Sequence, residues 1–255
     1  MKKISFDQFK IIYKKYYAQI VDILVKNKVY FSCACGTMLG AIREKDMIAW
    51  DYDIDNFFFI EDINNLLSIQ DQLPQNFYFE TYLDEKLRYG LVRIICKDLY
   101  RHDVKSTKYI NLRIDFFAIR NVKIKANIQK RVYQNVLKEE KKILFKECRY
   151  KSRNFVRGAI KNLYKLFLPS AKFSSRKIKR KVEKLKDGTT CIMCRNFRLV
   201  STTPINKKRI IFIDFGEYKI PCFENYNEIL SCLFGENWMT PVVYNDREIP
   251  EFYLK

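Results

Sequence analysis

Asp51-Tyr52-Asp53-Ile54-Asp55-Asn56-Phe57-Phe58-Phe59-Ile60 changes character halfway along. Polar and apolar residues alternate through Asp55, then three phenylalanines follow, as in a strand that runs from the surface into a core. Strand side chains have a period of two, so this reading puts Asp51, Asp53 and Asp55 on one face and Tyr52 and Ile54 on the other. Three carboxylates within ~13 Å on one face repel one another unless a cation sits among them. Hard carboxylate oxygens suit magnesium or manganese, which in turn bridge phosphate oxygens. The competing reading is a solvated acidic turn ahead of a core strand.

Upstream, the short apolar run Val29 to Cys35 reads as a buried strand that ends at Gly36-Thr37, and Leu39 to Arg43 suits a short helix after the turn. A glycine there lets a phosphate approach the backbone, the amides of a helix start favour anions, and the threonine hydroxyl adds a donor. A Gly-Thr turn followed about fifteen residues later by an Asp-x-Asp strand describes a nucleotidyltransferase-type site. Downstream, Leu112-Arg113-Ile114-Asp115-Phe116-Phe117 carries one carboxylate in an apolar strand. Asp115 therefore needs a partner, either Arg113 or the same metal, because a buried unpaired charge is costly. Its expected role is third metal carboxylate or base for the acceptor's proton.

Further out, Ser5 with Gln8 forms a capping-box pattern ahead of a helix to Lys26, whose stripe is Phe6, Phe9, Tyr13, Tyr16, Ile20 and Ile23. Strands are expected at Phe77 to Tyr82, Leu91 to Cys96 and Tyr109 to Ile119, with a helix near Asp62 to Leu73 and another over Tyr226 to Phe234, closed by Gly235. The fold class is α/β (α+β), a mixed-sheet core with a helical basic insertion. Residues 1–120 would form the catalytic core, 121–190 the insertion, and 191–255 a block completing the core.

The chain has 255 residues, is 48% apolar and carries a net charge of +19. This composition excludes disorder and a disulfide-stapled miniprotein. The charge is localised: Arg120 to Lys186 holds 23 of the 48 basic residues and four of the 29 acidic ones, and the remainder balances at 25 of each. No apolar run approaches the ~20 residues of a bilayer span, and the N-terminus lacks a signal-peptide pattern, so a cytoplasmic location with reduced cysteines is expected.

The block Gly36-Thr37-Met38-Leu39-Gly40-Ala41-Ile42-Arg43, followed by Ile48-Ala49-Trp50-Asp51-Tyr52-Asp53-Ile54-Asp55, resembles the signature of the LicD family, which includes the fukutin-related transferases. Ile114-Asp115-Phe116-Phe117 and a closing block with Ile220-Pro221, Tyr226, Ile229-Leu230, Phe234-Gly235, Trp238-Met239 and Pro241 extend the likeness. Ala49 stands where the family has Pro, Asp46 where it has Gly, and Phe234 where it has Tyr. The resemblance implies a nucleotidyltransferase-like fold and transfer of a substituted phosphate from a CDP-linked donor to a sugar hydroxyl, with release of CMP. The donor is expected to be CDP-choline, with CDP-ribitol or CDP-glycerol as the alternative, and the setting cell-surface polysaccharide or lipopolysaccharide assembly. By position, Asp53 and Asp55 would hold magnesium on the donor diphosphate with Asp51 in support, Gly36, Thr37 and Arg43 would hold phosphate, and Asp115 would complete the metal site.

Within Arg153 to Phe167 an aromatic and aliphatic stripe opposes Arg153, Arg157, Lys161 and Lys165, which suits an anionic membrane surface or, equally, a helix packed on the core. The implied lipid-linked acceptor favours peripheral membrane binding through about 141 to 186, on the inner face of the cytoplasmic membrane. Nucleic acid is the competing partner for a basic segment, but no reading motif appears and the rest of the chain is neutral. Cys191 and Cys194 could supply half of a zinc site, with Cys148 as a further thiol. His102, the only histidine, is expected in a solvent-exposed loop.

Overall fold

Strand β1, Lys2–Ile4, leads into helix α1, Phe6–Lys26, at the predicted cap. Ser5 Oγ accepts the Gln8 N–H at 3.2 Å and Gln8 Oε1 accepts the Ser5 N–H at 3.1 Å. The computed structural model describes residues 1–84, 87–103, 108–147, 171–242 and 249–255. The buried stripe of α1 is Phe9, Tyr13, Tyr17, Ile20, Val21 and Leu24, so Tyr17 and Leu24 replace the expected Tyr16 and Ile23. Long-range contacts set that rotation: Phe9 stacks on Phe252 with ring centroids 3.8 Å apart, and the Tyr17 hydroxyl donates to Asn56 Oδ1.

After β2, Phe31–Cys33, helix α2 spans Cys35–Arg43 and β3 spans Ile54–Phe59. The expected helix near Asp62 to Leu73 is shorter, Ile63–Leu67, flanked by single 3-10 turns at Ile60–Asp62 and Gln70–Gln72. Then come β4, Phe77–Thr81, β5, Leu91–Asp103, and β6, Lys108–Val122. Both β5 and β6 outrun their apolar segments because distant strands pair with their ends, β11 (Glu251–Leu254) with β5 and β7 (Thr190–Met193) with β6. Pairing of Glu251 with His102 puts the histidine inside β5, partly buried, instead of in a loop.

Among the described residues nine strands form one mixed sheet, with the path β1-β11-β5-β6-β3-β2, β4 on β5, and β7 joining β6 to β8 (Leu199–Ser201). The β3–β6 pair is parallel, its register setting Asp55 opposite Asp115. A separate hairpin, β9 (Ile210–Phe215) and β10 (Tyr218–Phe223), packs beside α1 and β2. Because α1 bonds Asn56, it covers that face of β3, and alternation turns Asp55 to the other face. Phe57, Phe58 and Phe116 are fully buried in the core.

Helices Ala126–Glu147 and Ala171–Glu183 connect β6 to β7. The excursion closes on itself, for Lys123 N–H donates to the Lys186 carbonyl at 2.7 Å and Val122 pairs with Thr190. The two helices are tied by Lys177 and Ser174, which bond Glu139 at 2.8 and 3.1 Å. The aromatic stretch Arg153 to Phe167 lies outside the described residues.

Candidate active site

Strand β3 begins at Ile54, so Asp51 and Asp53 are not strand residues and period-two alternation does not align the three carboxylates. Asp51 instead sits in a turn: its N–H donates to the Ile48 carbonyl at 2.9 Å, and its Oδ1 accepts the Tyr52 N–H at 3.0 Å. Local side-chain bonding of this kind competes with ladder formation. The turn nonetheless delivers Asp51, Asp53 and Asp55 to one open cavity of about 550 Å³, a size usual for small-molecule sites.

The turn and strand are held by α2. Gly36 lies against Asp51, where an added Cβ would stand 2.6 Å from Asp51 Oδ2, so any larger residue displaces that carboxylate. Thr37 is buried, and its Oγ1 accepts the Asp55 N–H at 2.9 Å, which anchors the start of β3. Gly36 is on the cavity wall and Thr37 is not. The helix-start residue Ala34 offers no side-chain cap to the first turn of α2, leaving that end suited to an anion. Cys35 adopts a left-handed φ of 48°, uncommon for a residue with a side chain, and lines the cavity together with Asp55.

A row of charge crosses the sheet. Registers align Glu80 on β4 with Arg93 on β5, Arg93 with Asp115 on β6, and Asp115 with Asp55 on β3. Arg93 Nε lies 3.1 Å from Asp115 Oδ1, closer than the expected partner Arg113 at 3.8 Å. Burial pushes the Asp115 carboxyl up despite the pull of Arg93 and Arg113. Asp55 is driven well above the usual carboxylate range, first by burial and then by the charges of Asp53, Asp115 and Asp51.

The turn between β7 and β8 brings Arg195, Asn196 and Arg198 to the same cavity, and Phe234, nearly half exposed, stands at the end of helix Tyr226–Phe234. Arg198 is fixed by a 2.6 Å bond to the Leu233 carbonyl. Phe197 holds the turn at φ 64°, its carbonyl accepting from Gln129. Of these, sequence reading singled out Phe234 alone; Arg195, Asn196 and Arg198 were not, since the arginines lie outside the basic segment and the only local signal was an Arg-Asn pair after an apolar strand.

Arg43 is brought elsewhere: its guanidinium bonds Glu44 Oε1 at 2.6 Å and the Trp238 carbonyl at 3.5 Å, and it does not line the cavity. Cys191 and Cys194 are fully buried, their thiols pushed up by burial, while Cys148 lies outside the described residues. Among the described residues no three His, Cys, Asp or Glu side chains converge closely enough to hold a metal ion unaided. Asp53, Asp55 and Asp115 therefore do not form a closed metal cage.

A mixed sheet that sets paired carboxylates of adjacent parallel strands beside a helix start and an open cavity defines a nucleotidyltransferase-type domain. A family model described as LicD/FKTN/FKRP, nucleotidyltransferase domain matches residues 28–155, half of the chain, and the chain belongs to this family. It is also similar to the uncharacterized protein RP689 of Rickettsia prowazekii (strain Madrid E), 29% identical over 93 residues, which cover 36% of this chain and 34% of that protein. The matched stretch thus spans about a third of the relative's length.

Proposed function

We propose that the protein transfers a substituted phosphate from a CDP-linked donor, CDP-choline first among them, to a hydroxyl of a cell-surface glycan, releasing CMP. The observation that carries this reading is one cavity lined by Asp51, Asp53 and Asp55 together with Arg195 and Arg198, with Asp115 in register beside Asp55 on the adjacent strand and not itself on the cavity wall. Membership of the family supplies the reaction class.

The residues fit a divalent cation. Four carboxylates act on one another here, and the charges of Asp51, Asp53 and Asp115 raise Asp55, a strain that a hard cation relieves. Asp53 and Asp55 would hold magnesium, with Asp115 completing the set, and because these side chains do not close a cage the ion would bind together with the donor rather than on the protein alone. Bound there, magnesium neutralises charge on the transferring group.

The chain's own residues do the rest. The start of α2 at Gly36 and the guanidinium groups of Arg195 and Arg198 bind the diphosphate from two sides and orient it in the cavity. The acceptor oxygen attacks the phosphorus that bears the head group, the bond to CMP breaks, and a cavity carboxylate takes the hydroxyl proton. Phe117, Met193 and Phe234 supply apolar wall for the organic part of the donor. The basic connection between β6 and β7 would rest on an anionic membrane surface; no described helix is long and apolar enough to cross a membrane.

The test is magnesium-dependent CMP release from CDP-choline, CDP-ribitol and CDP-glycerol in the presence of glycan acceptors, with products identified by mass. Release from one donor, lost in Asp53→Asn, is the expected result. No release from any donor, or near-normal turnover in Asp53→Asn, would sink the reading.

A further inference from the structure

A second pocket lies away from the carboxylates, where helix Ala171–Glu183 meets the core. Ser174, Ile178 and Val182 form the buried face of this helix, which sets its rotation. Lys172, Arg176 and Lys179, at i, i+4 and i+7, then fall on one side and line the pocket. The facing wall is Tyr82 and Tyr89, packed edge to face with ring centroids 5.1 Å apart, with Leu83 at the rim. The Tyr89 N–H donates to Ser175 Oγ at 2.8 Å, locking the two walls together. Glu183, the acid of this helix, pairs with Lys179 at 3.8 Å.

The pocket measures about 180 Å³, below the ~300 Å³ of sites that enclose a drug-sized ligand. It has room for a head group and not for a nucleotide. Two large apolar side chains stand exposed around it, Leu83 at 54% and Phe173 at 64%. At 100° per residue, Phe173 shares the outward face of the helix with Arg176 and Arg180. A basic helix with an outward aromatic residue lies in the plane of a lipid interface, its bases at phosphate level and its ring among the acyl chains.

We infer that this pocket takes the phosphate head group of an anionic membrane lipid, with Lys172, Arg176 and Lys179 on the phosphate and Leu83 and Phe173 in the bilayer. The inference gives a defined seat to the membrane docking in the proposed function and rests on that part of it. Its position suits the chemistry. Gly90, next to Tyr89, packs closely on the β7–β8 turn: an added Cβ would stand 3.1 Å from Cys194 Cβ and 3.2 Å from Arg195 N. The residue beside Tyr89 thus touches the turn that carries Arg195, so the head-group pocket and the catalytic cavity are near neighbours.

The full chain is tested by sedimentation with phosphatidylcholine vesicles, with and without phosphatidylglycerol. The triple variant Lys172→Gln, Arg176→Gln, Lys179→Gln changes only exposed side chains and is expected to weaken binding to phosphatidylglycerol vesicles by about a hundredfold. A control with the same charge loss at the far side of the segment, Lys181→Gln, Lys184→Gln, Lys186→Gln, is expected to cost less than tenfold, and Leu83→Ser about fivefold. Equal loss in the triple variant and the control would overturn the pocket in favour of diffuse attraction. Saturable binding of soluble glycerol phosphate without vesicle binding would overturn the lipid as its source. CMP release from the soluble donor is expected to be unchanged in the triple variant. Absence of that release in the wild type would count against the transfer reaction alone, because vesicle binding reads the pocket independently.

Discussion

The turn Asp51 to Asp55 and the helix Ala171–Glu183 each concentrate one sign of charge, yet the fold treats them in opposite ways. The first gathers its carboxylates at a cavity and partly buries Asp55, whose acidity its neighbours suppress. The second turns every lysine and arginine of its described side chains to solvent and anchors itself through Ser174, Ile178 and Val182. Charge at low dielectric is costly and waits for a counter-charge, whereas charge in water costs little and acts over a Debye length. One region is built to do chemistry at contact distance, the other to attract a surface.

Breaking the first region should produce the largest effect. Asp55→Asn is expected to lower turnover by at least ~1,000-fold, as loss of a metal-site charge does in phosphoryl transfer, yet to melt ~2–4 °C higher in chelator because one crowded charge is gone. A lower melting point in chelator would show that the carboxylates are not mutually strained. Next, Arg93→Gln removes the closest partner of Asp115, and a buried charge stripped of its partner costs ~3 kcal/mol or more. Denaturant unfolding should register this loss; an unchanged midpoint would mean that Arg113 suffices.

Arg195→Gln should raise the donor KM about tenfold to a hundredfold with kcat less affected, the loss of one charge-assisted contact. An unchanged KM would remove the arginine turn from the site. The smallest effect tests a half-exposed charge. Glu228 accepts from the N–H and hydroxyl groups of Thr202 and Thr203, which pull its carboxyl down to about 2 from 4.5. A depressed carboxyl stabilises the fold fully above its unfolded value of 4.5, and the contribution disappears as pH falls toward about 2. Glu228→Gln should therefore melt ~2–4 °C lower at pH 7, with the gap closing through that acid window. A gap independent of pH would assign the effect to packing.

Much of this architecture is legible in the residues. The Ser5 and Gln8 cap, the triple-phenylalanine strand and the helix ending at Gly235 are local events, decided by spacing and cap chemistry. The carboxylates were legible as residues and not as geometry. Asp51 and Asp53 read as strand because Tyr52 and Ile54 alternate with them, but a strand needs a partner ladder, and the Asp51 side chain gave the Tyr52 amide a local bond instead. Arg43 read as a phosphate ligand from its place in the motif, while Glu44 and the Trp238 carbonyl hold it away from the cavity.

Sequence by itself determined which residues carry the charge, that Gly36-Thr37 precede the cluster Asp51, Asp53 and Asp55, and that the excess of +19 belongs to one internal segment. Those properties are local or additive, so a linear reading reaches them. The structure puts Gly36 and Thr37 in the first turn of α2 and starts the strand only at Ile54. Tertiary structure alone decided that Arg93 and not Arg113 lies closest to Asp115, that Asp55 and Asp115 share a register, and that Arg195 and Arg198, from a turn about 140 residues after Asp55, line the same cavity as Asp55. Strand pairing and cavity walls join positions far apart in the chain, and the free energy that selects them comes from burial across the whole sheet, which no local pattern contains.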